Sequence, residues 1–167
     1  LTSSSVYGAT NAFTTNDGDD SISVAGTASA SFVQGNGGND TLDFAGVVLS
    51  SSARGGVGND SILLAASASS SFISGDKGSD TIELSEVIKG GSVFGGSLVD
   101  TTDDSADSLA FVKSVSGTYV QGNAGADTIN FNKAVASSTI LAGKDGDQVT
   151  VATTTNNALI SANLGTD

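Results

Sequence analysis

The sequence predicts an all-β chain wound as a right-handed parallel β-solenoid, a β-roll or β-helix of about 20 residues per turn. Three observations carry that prediction. Aspartates recur at Asp20, Asp40, Asp60, Asp80 and Asp100 and, after a seven-residue insertion, at Asp107, Asp127, Asp147 and Asp167, with a spacing of 20 within each series. Apolar residues alternate with polar ones just after each aspartate, the period-two pattern of a strand with one buried face. No segment holds a helical period, and glycines interrupt every candidate helix.

The loop is the first element. Its clearest copy is Gly55-Gly56-Val57-Gly58-Asn59-Asp60-Ser61-Ile62-Leu63. Further copies start at Gly35, Gly75 and Gly122 and end at Asp40, Asp80 and Asp127. A weaker copy surrounds Asp20, where Thr15 and Asn16 stand at the glycine positions. Another, Gly143-Lys144-Asp145-Gly146-Asp147, reads as one residue short, and the last is cut off at Asp167.

The strand after the loop is the second element. Its inward columns are Ile22, Leu42, Ile62, Ile82, Leu109, Ile129 and Val149, then Val24, Phe44, Leu64, Leu84, Phe111, Phe131 and Val151. These positions favour β-branched and aromatic residues, which pack well on a pleated surface. The strand before the loop is the third element, with Phe13, Val33, Ala53, Ile73, Val93, Val120, Leu141 and Ile160 expected inward and Phe32, Phe72, Tyr119 and Leu159 outward. Val48, Ala68, Ile88, Val115 and Val135 form a weaker third inward column. A single repeat cannot bury these residues alone, so stacked repeats must supply a continuous core. Residues 1–167 therefore read as a single array with an acidic loop insertion around 97–107. Neither end shows a polar cap, so we expect a longer array, or self-association that covers the ends. Leu1 is not a start methionine, which suggests a mature or trimmed piece.

Composition narrows the chemistry. With 18 Asp+Glu against 6 Lys+Arg the net charge is −12, which argues against nucleic acid and against an anionic membrane surface. No apolar run is long enough to cross a bilayer as a helix, so no membrane insertion is expected. Cysteine and histidine are absent, so no Ser-His-Asp or Cys-His nucleophile can be assembled. The chain is not expected to be an enzyme. The absence of cysteine fits a secreted bacterial protein.

The loops suit cations. Equivalent residues of a parallel stack lie about 4.8 Å apart, and two carboxylates at that distance repel by roughly 0.9 kcal/mol even in water. Such a column needs cations between its members, or strong hydrogen bonds to loop N–H groups. Calcium takes six to eight oxygen ligands from carboxylates and backbone carbonyls, and glycine lets a loop turn its carbonyls toward one point. Magnesium demands stricter octahedral geometry, and zinc would want His or Cys.

Gly55–Leu63 resembles the RTX, or haemolysin-type, calcium-binding nonapeptide Gly-Gly-x-Gly-x-Asp-x-apolar-x at every fixed position. The copies at Gly35, Gly75 and Gly122 miss only the second glycine. The resemblance implies a parallel β-roll with Ca2+ held between successive loops by Asp20, Asp40, Asp60, Asp80, Asp100 or Asp107, Asp127 and Asp147. It also implies ligation by loop carbonyls, at Gly35, Gly37, Gly55, Val57, Gly75, Lys77, Gly122 and Ala124. It further suggests secretion of an unfolded chain that folds on meeting external calcium. Typical rolls of the family carry the motif twice per turn, whereas here it recurs once in 20 residues. The opposite turn, as in Ala25–Ser29 and Ala65–Ser69, has no aspartate. A single ladder on one edge is therefore expected, with a dry or hydrogen-bonded turn on the other; the end copies, Asp20 and Asp147, fit the pattern least well and could be filled or empty.

Asp100, Asp103, Asp104 and Asp107 crowd the insertion, which could wrap a separate calcium or form a solvated bulge, and either Asp100 or Asp107 could take the ladder position. Outward Phe32, Phe72 and Tyr119 alternate with Ser52 and Ser92, as a lateral contact or as rings covered by neighbouring turns. The expected function is calcium binding that drives folding of a secreted structural module of a surface layer or extracellular filament. The alternative is an RTX-type module of a secreted enzyme, toxin or adhesin. A polysaccharide-acting solenoid enzyme ranks below both, because outer strand positions are mostly Ser, Thr and Asn.

Overall fold

The computed structural model describes residues 1–8, 17–97 and 104–164, and these form an all-β parallel solenoid without helices. Three parallel sheets of eight, seven and seven strands run the length of the stack. Each 20-residue coil adds one strand to each sheet: Ser52–Val57 before the loop, Ser61–Leu64 after it, and the two-residue Ala68–Ser69. The weak third column of the sequence is thus a sheet of its own, whose short strands register Val48 on Ala68, Ala68 on Ile88 and Ile88 on Val115.

The alternation explains the core. Leu42, Ile62, Ile82, Leu109 and Ile129 are at most 1% exposed, and Phe44, Leu64, Leu84, Phe111 and Phe131 lie stacked just as deep. Strand pairing places like on like, so that Phe111 and Phe131 stack with ring centroids 4.5 Å apart. Burying one such side chain contributes about 1.5–3 kcal/mol, which a lone coil could not realise. Ile160, at the last described coil, is 39% exposed because no described strand covers it.

The structure corrects three registers. Ile140, fully buried, pairs with Val120 and fills the inward column, whereas Leu141 pairs with Gln121 and points out. The Asp147 loop is full length rather than one residue short: Asn123 pairs with Gly143, so Ala142 stands where Gly122 stands one coil earlier. At the N-terminus, Val6 pairs with Val33 and takes the inward place expected of Phe13, which lies outside the described residues.

Candidate metal centre at the loop corner

Three separate demands explain the three glycine positions of the loop. The second position has a left-handed backbone, with φ of 86° at Asn36, 129° at Gly56, 76° at Asp76 and 85° at Asn123, which restricts it to Gly, Asn or Asp. The fourth is left-handed as well, at Gly38, Gly58, Gly78 and Gly125. The first is not. A side chain there would run into the carboxylate of the same loop: a Cβ on Gly35, Gly55, Gly75, Gly95 or Gly122 would meet Oδ2 of Asp40, Asp60, Asp80, Asp107 or Asp127, respectively. The first glycine is a cradle for its own aspartate.

The aspartates point inward and form a ladder. Oδ1 of Asp40 accepts the backbone N–H of Asp20 at 2.7 Å, and the same bond repeats from Asp40 to Asp60, Asp60 to Asp80 and Asp80 to Asp107. It continues from Asp107 to Asp127 at 2.8 Å and from Asp127 to Asp147 at 2.9 Å. Hydrogen bonding to loop N–H groups, one of the two ways to relieve the column, therefore occupies one oxygen of each carboxylate. The other oxygen is orphaned: Oδ2 of Asp40, Asp60, Asp80, Asp107 and Asp127 is buried with no hydrogen-bond partner. All five are at most 3% exposed, and Asp147 is 9% exposed.

That isolation shows in the titration. Burial pushes the Asp60 carboxyl up to about 8, Asp80 to about 7, Asp107 to about 9 and Asp127 to about 8, against 3.8 in water. In each case the backbone N–H bond opposes the rise and neighbouring acids add to it. Asp40 is raised for the same reason. An uncompensated buried carboxylate neutralises or finds a counter-charge.

The donor set at this corner is oxygen only. The space beside Gly55 is shared by Oδ2 of Asp60 and the carbonyl oxygen of Gly75, that beside Gly95 by Asp107 Oδ2 and the Gly122 carbonyl, and that beside Gly122 by Asp127 Oδ2 and the Ala142 carbonyl. Among the described residues no three acids converge on one point, so a cation here would rest on carboxylates supplemented by backbone carbonyls. Orphaned, buried and anionic oxygens beside carbonyls fit a hard cation. The last coil fits less well, because Ala142 puts a methyl where the cradle glycine should be.

Of the two candidates at the insertion, Asp107 holds the ladder position, bonded to Asp80 N–H, with Ser108 registered on Thr81. Asp100 lies outside the described residues. Asp104 folds back over Gly96, accepts the Ala124 N–H at 3.2 Å and leaves a buried Oδ1 without a partner, and burial raises its carboxyl to about 6.

Two features escaped the sequence reading. Gly8, not residue 15 or 16, is the cradle of the first coil, since a Cβ there would meet Asp20 Oδ2. Twelve residues separate Gly8 from Asp20 and Gly95 from Asp107, against five in an ordinary loop, so two coils carry seven-residue insertions at the same point. The likeness of Val6-Tyr7-Gly8 to Val93-Phe94-Gly95 is the signal that marks the first of them. The second feature is Asp76, a loop acid engaged by a side-chain ion pair. Its carboxylate takes a two-pronged ion pair from Arg54 at 2.7 and 2.8 Å and a hydrogen bond from Ser74 at 2.8 Å.

The opposite corner is hydrogen-bonded by serines. Ser31 N–H donates to Ser51 Oγ at 3.0 Å and Ser51 N–H to Ser71 Oγ at 3.3 Å, while each hydroxyl donates to the carbonyl two residues back. Fold and corner together define a parallel β-solenoid with a buried aspartate ladder along one edge. No family model, curated protein or solved structure matches this chain.

Proposed function

We propose that this chain is a calcium-dependent solenoid module of a secreted structural assembly, a surface layer or extracellular filament, of the RTX type. The observation that carries the reading is the row of buried Oδ2 atoms without hydrogen-bond partners, repeated in register from Asp40 to Asp127. Asp40, Asp60, Asp80, Asp107 and Asp127 would supply the carboxylates, and the first-position carbonyls of Gly35, Gly55, Gly75 and Gly122 the neutral oxygens. Bound calcium would neutralise the column and tie adjacent coils together. Gly37, Val57, Lys77 and Ala124 offer further loop carbonyls. Asp20 and Asp147, at the two ends, would bind most weakly.

The function follows from coupling. An ion that binds only the folded state adds stability in proportion to the logarithm of its concentration. With little calcium the chain must protonate or unfold its corner, and with millimolar calcium it would lock. Circular dichroism of the protein titrated with calcium and then with chelator tests the proposal. We expect strand signal and melting temperature to rise with calcium and fall with chelator; a spectrum and melt indifferent to both would defeat it.

A further inference from the structure

The outer face of the eight-stranded sheet carries a second regular array. Along one column Phe32, Ser52, Phe72, Ser92, Tyr119 and Thr139 succeed one another, an aromatic ring and a small hydroxyl in alternate coils. Next to this column, where the sheet meets the serine corner, lies an open groove of about 480 Å³. Apart from Phe32 and Phe72, only serines and one alanine line it, so no charged group reaches it in a chain of net charge −12.

We propose that this groove binds an uncharged polysaccharide chain lying along the solenoid axis. Phe32 and Phe72 are two coils apart, about 9.6 Å at the strand spacing, which is close to the length of a disaccharide unit in an extended β-linked chain. Flat rings at that interval can stack on the C–H faces of alternate sugars. The hydroxyls of Ser5, Ser50, Ser52 and Ser70 line the groove and make no hydrogen bond within the described residues. Among the described residues nothing competes with sugar hydroxyls for them.

The two rings are also packed in place. Phe32 packs on Tyr7 with centroids 5.6 Å apart, and Phe72 on Phe94 at 5.4 Å with the Arg54 guanidinium 5.6 Å from its ring; neither Phe94 nor Arg54 lines the groove. Ser31 and Ser51 are fixed by their corner hydrogen bonds. Little ordering is left for a ligand to impose, which favours affinity. The lining itself is uncharged, and the nearest cation, Arg54 beside Phe72, is already paired with Asp76, so the groove selects against ionic ligands. The absence of a carboxylate also makes this a site of binding rather than hydrolysis.

The test is native affinity electrophoresis in calcium-containing gels cast with hydroxyethyl cellulose, xylan or galactomannan. Phe32→Ser and Phe72→Ser are suitable variants because Ser52 and Ser92 already occupy the same column in adjacent coils. Ser52→Lys, filling the groove from a position that accepts Phe one coil away, is the second blocking variant. We expect at least one of these polysaccharides to retard the native protein, in a manner insensitive to salt. We expect the double Phe→Ser variant and Ser52→Lys to bind at least about tenfold more weakly, with dichroism spectra unchanged. The proposal is overturned if none of the polysaccharides retards the native protein, or if both variants are retarded equally to it. It is equally overturned if sedimentation shows a native oligomer that the double variant dissolves, since the rings would then be a contact between copies. Calcium is in excess throughout, so failure of the calcium reading would appear as an unchanged spectrum in chelator and would leave this result readable.

Discussion

Replacing Asp60 by asparagine should have opposite effects in the absence and presence of calcium. Asn keeps an oxygen to accept the Asp40 N–H that Asp60 Oδ1 holds at 2.7 Å, so the ladder bond survives. It removes the ionisable group. Without a cation, Asp60 must take up a proton to fold at neutral pH, since burial lifts its carboxyl from 3.8 to about 8. That uptake costs about 4 kcal/mol, at 1.36 kcal/mol for each pH unit between the unfolded value and pH 7. Residual solvent near the corner reduces it, and about 2–3 kcal/mol is a fair expectation. For a chain of this size that is a rise in melting temperature of roughly 5–10 °C in chelator. In calcium the sign reverses. Each site filled at a hundredfold excess over its dissociation constant contributes about 2.7 kcal/mol, and Asp60 stands between the neighbours Asp40 and Asp80. D60N should therefore melt below the native protein in calcium and above it in chelator. Paired thermal melts followed by circular dichroism decide the matter. A variant that shifts the same way in both buffers would refute the reasoning, because Asp60 would then be a structural hydrogen-bond acceptor and nothing more.

Acidity should substitute for calcium. Asp60, Asp80, Asp107 and Asp127 bind protons more tightly folded than unfolded, so the stability they contribute is complete below about pH 4 and is lost as pH rises through 7 to 9. Denaturant titrations in chelator should show stability rising as pH falls from 8 to 5, and a much flatter profile in calcium. Asp107→Asn should reproduce the reversal expected of D60N, below native in calcium and above it in chelator. Ser51→Ala removes the acceptor for the buried Ser31 N–H and should cost about 1–2 kcal/mol equally with and without calcium, as read by denaturant midpoints.

The fold was legible because its signal was redundant. The 20-residue recurrence and the period-two columns specify the same coil, and Leu42 on Ile62 on Ile82 follows from stacking equivalents. The registers that went astray lie where a residue type, not a spacing, was the guide. Aligning the loop on Gly143 as a first glycine turns Leu141 inward, whereas Gly143 is the left-handed second position with φ of 135° and Ile140 takes the inward place. Counting spacing backward from Asp20 puts Thr15 and Asn16 at the glycine positions, because such counting hides an insertion. The aspartates are legible, as is hydrogen bonding to loop N–H groups as one way to relieve the column, but not that Asp40, Asp60, Asp80, Asp107 and Asp127 bond through one oxygen and leave the other orphaned. Side-chain direction at a corner depends on where the first glycine leaves room, and that is a three-dimensional fact.

Anomalous diffraction from crystals grown in calcium tests the central claim most directly. The account predicts a row of peaks along the corner lined by Asp40, Asp60, Asp80, Asp107 and Asp127, spaced by about one coil, near 4.8 Å. A calcium-soaked crystal with an empty corner, its carboxylates bonded only to loop N–H groups, would contradict it.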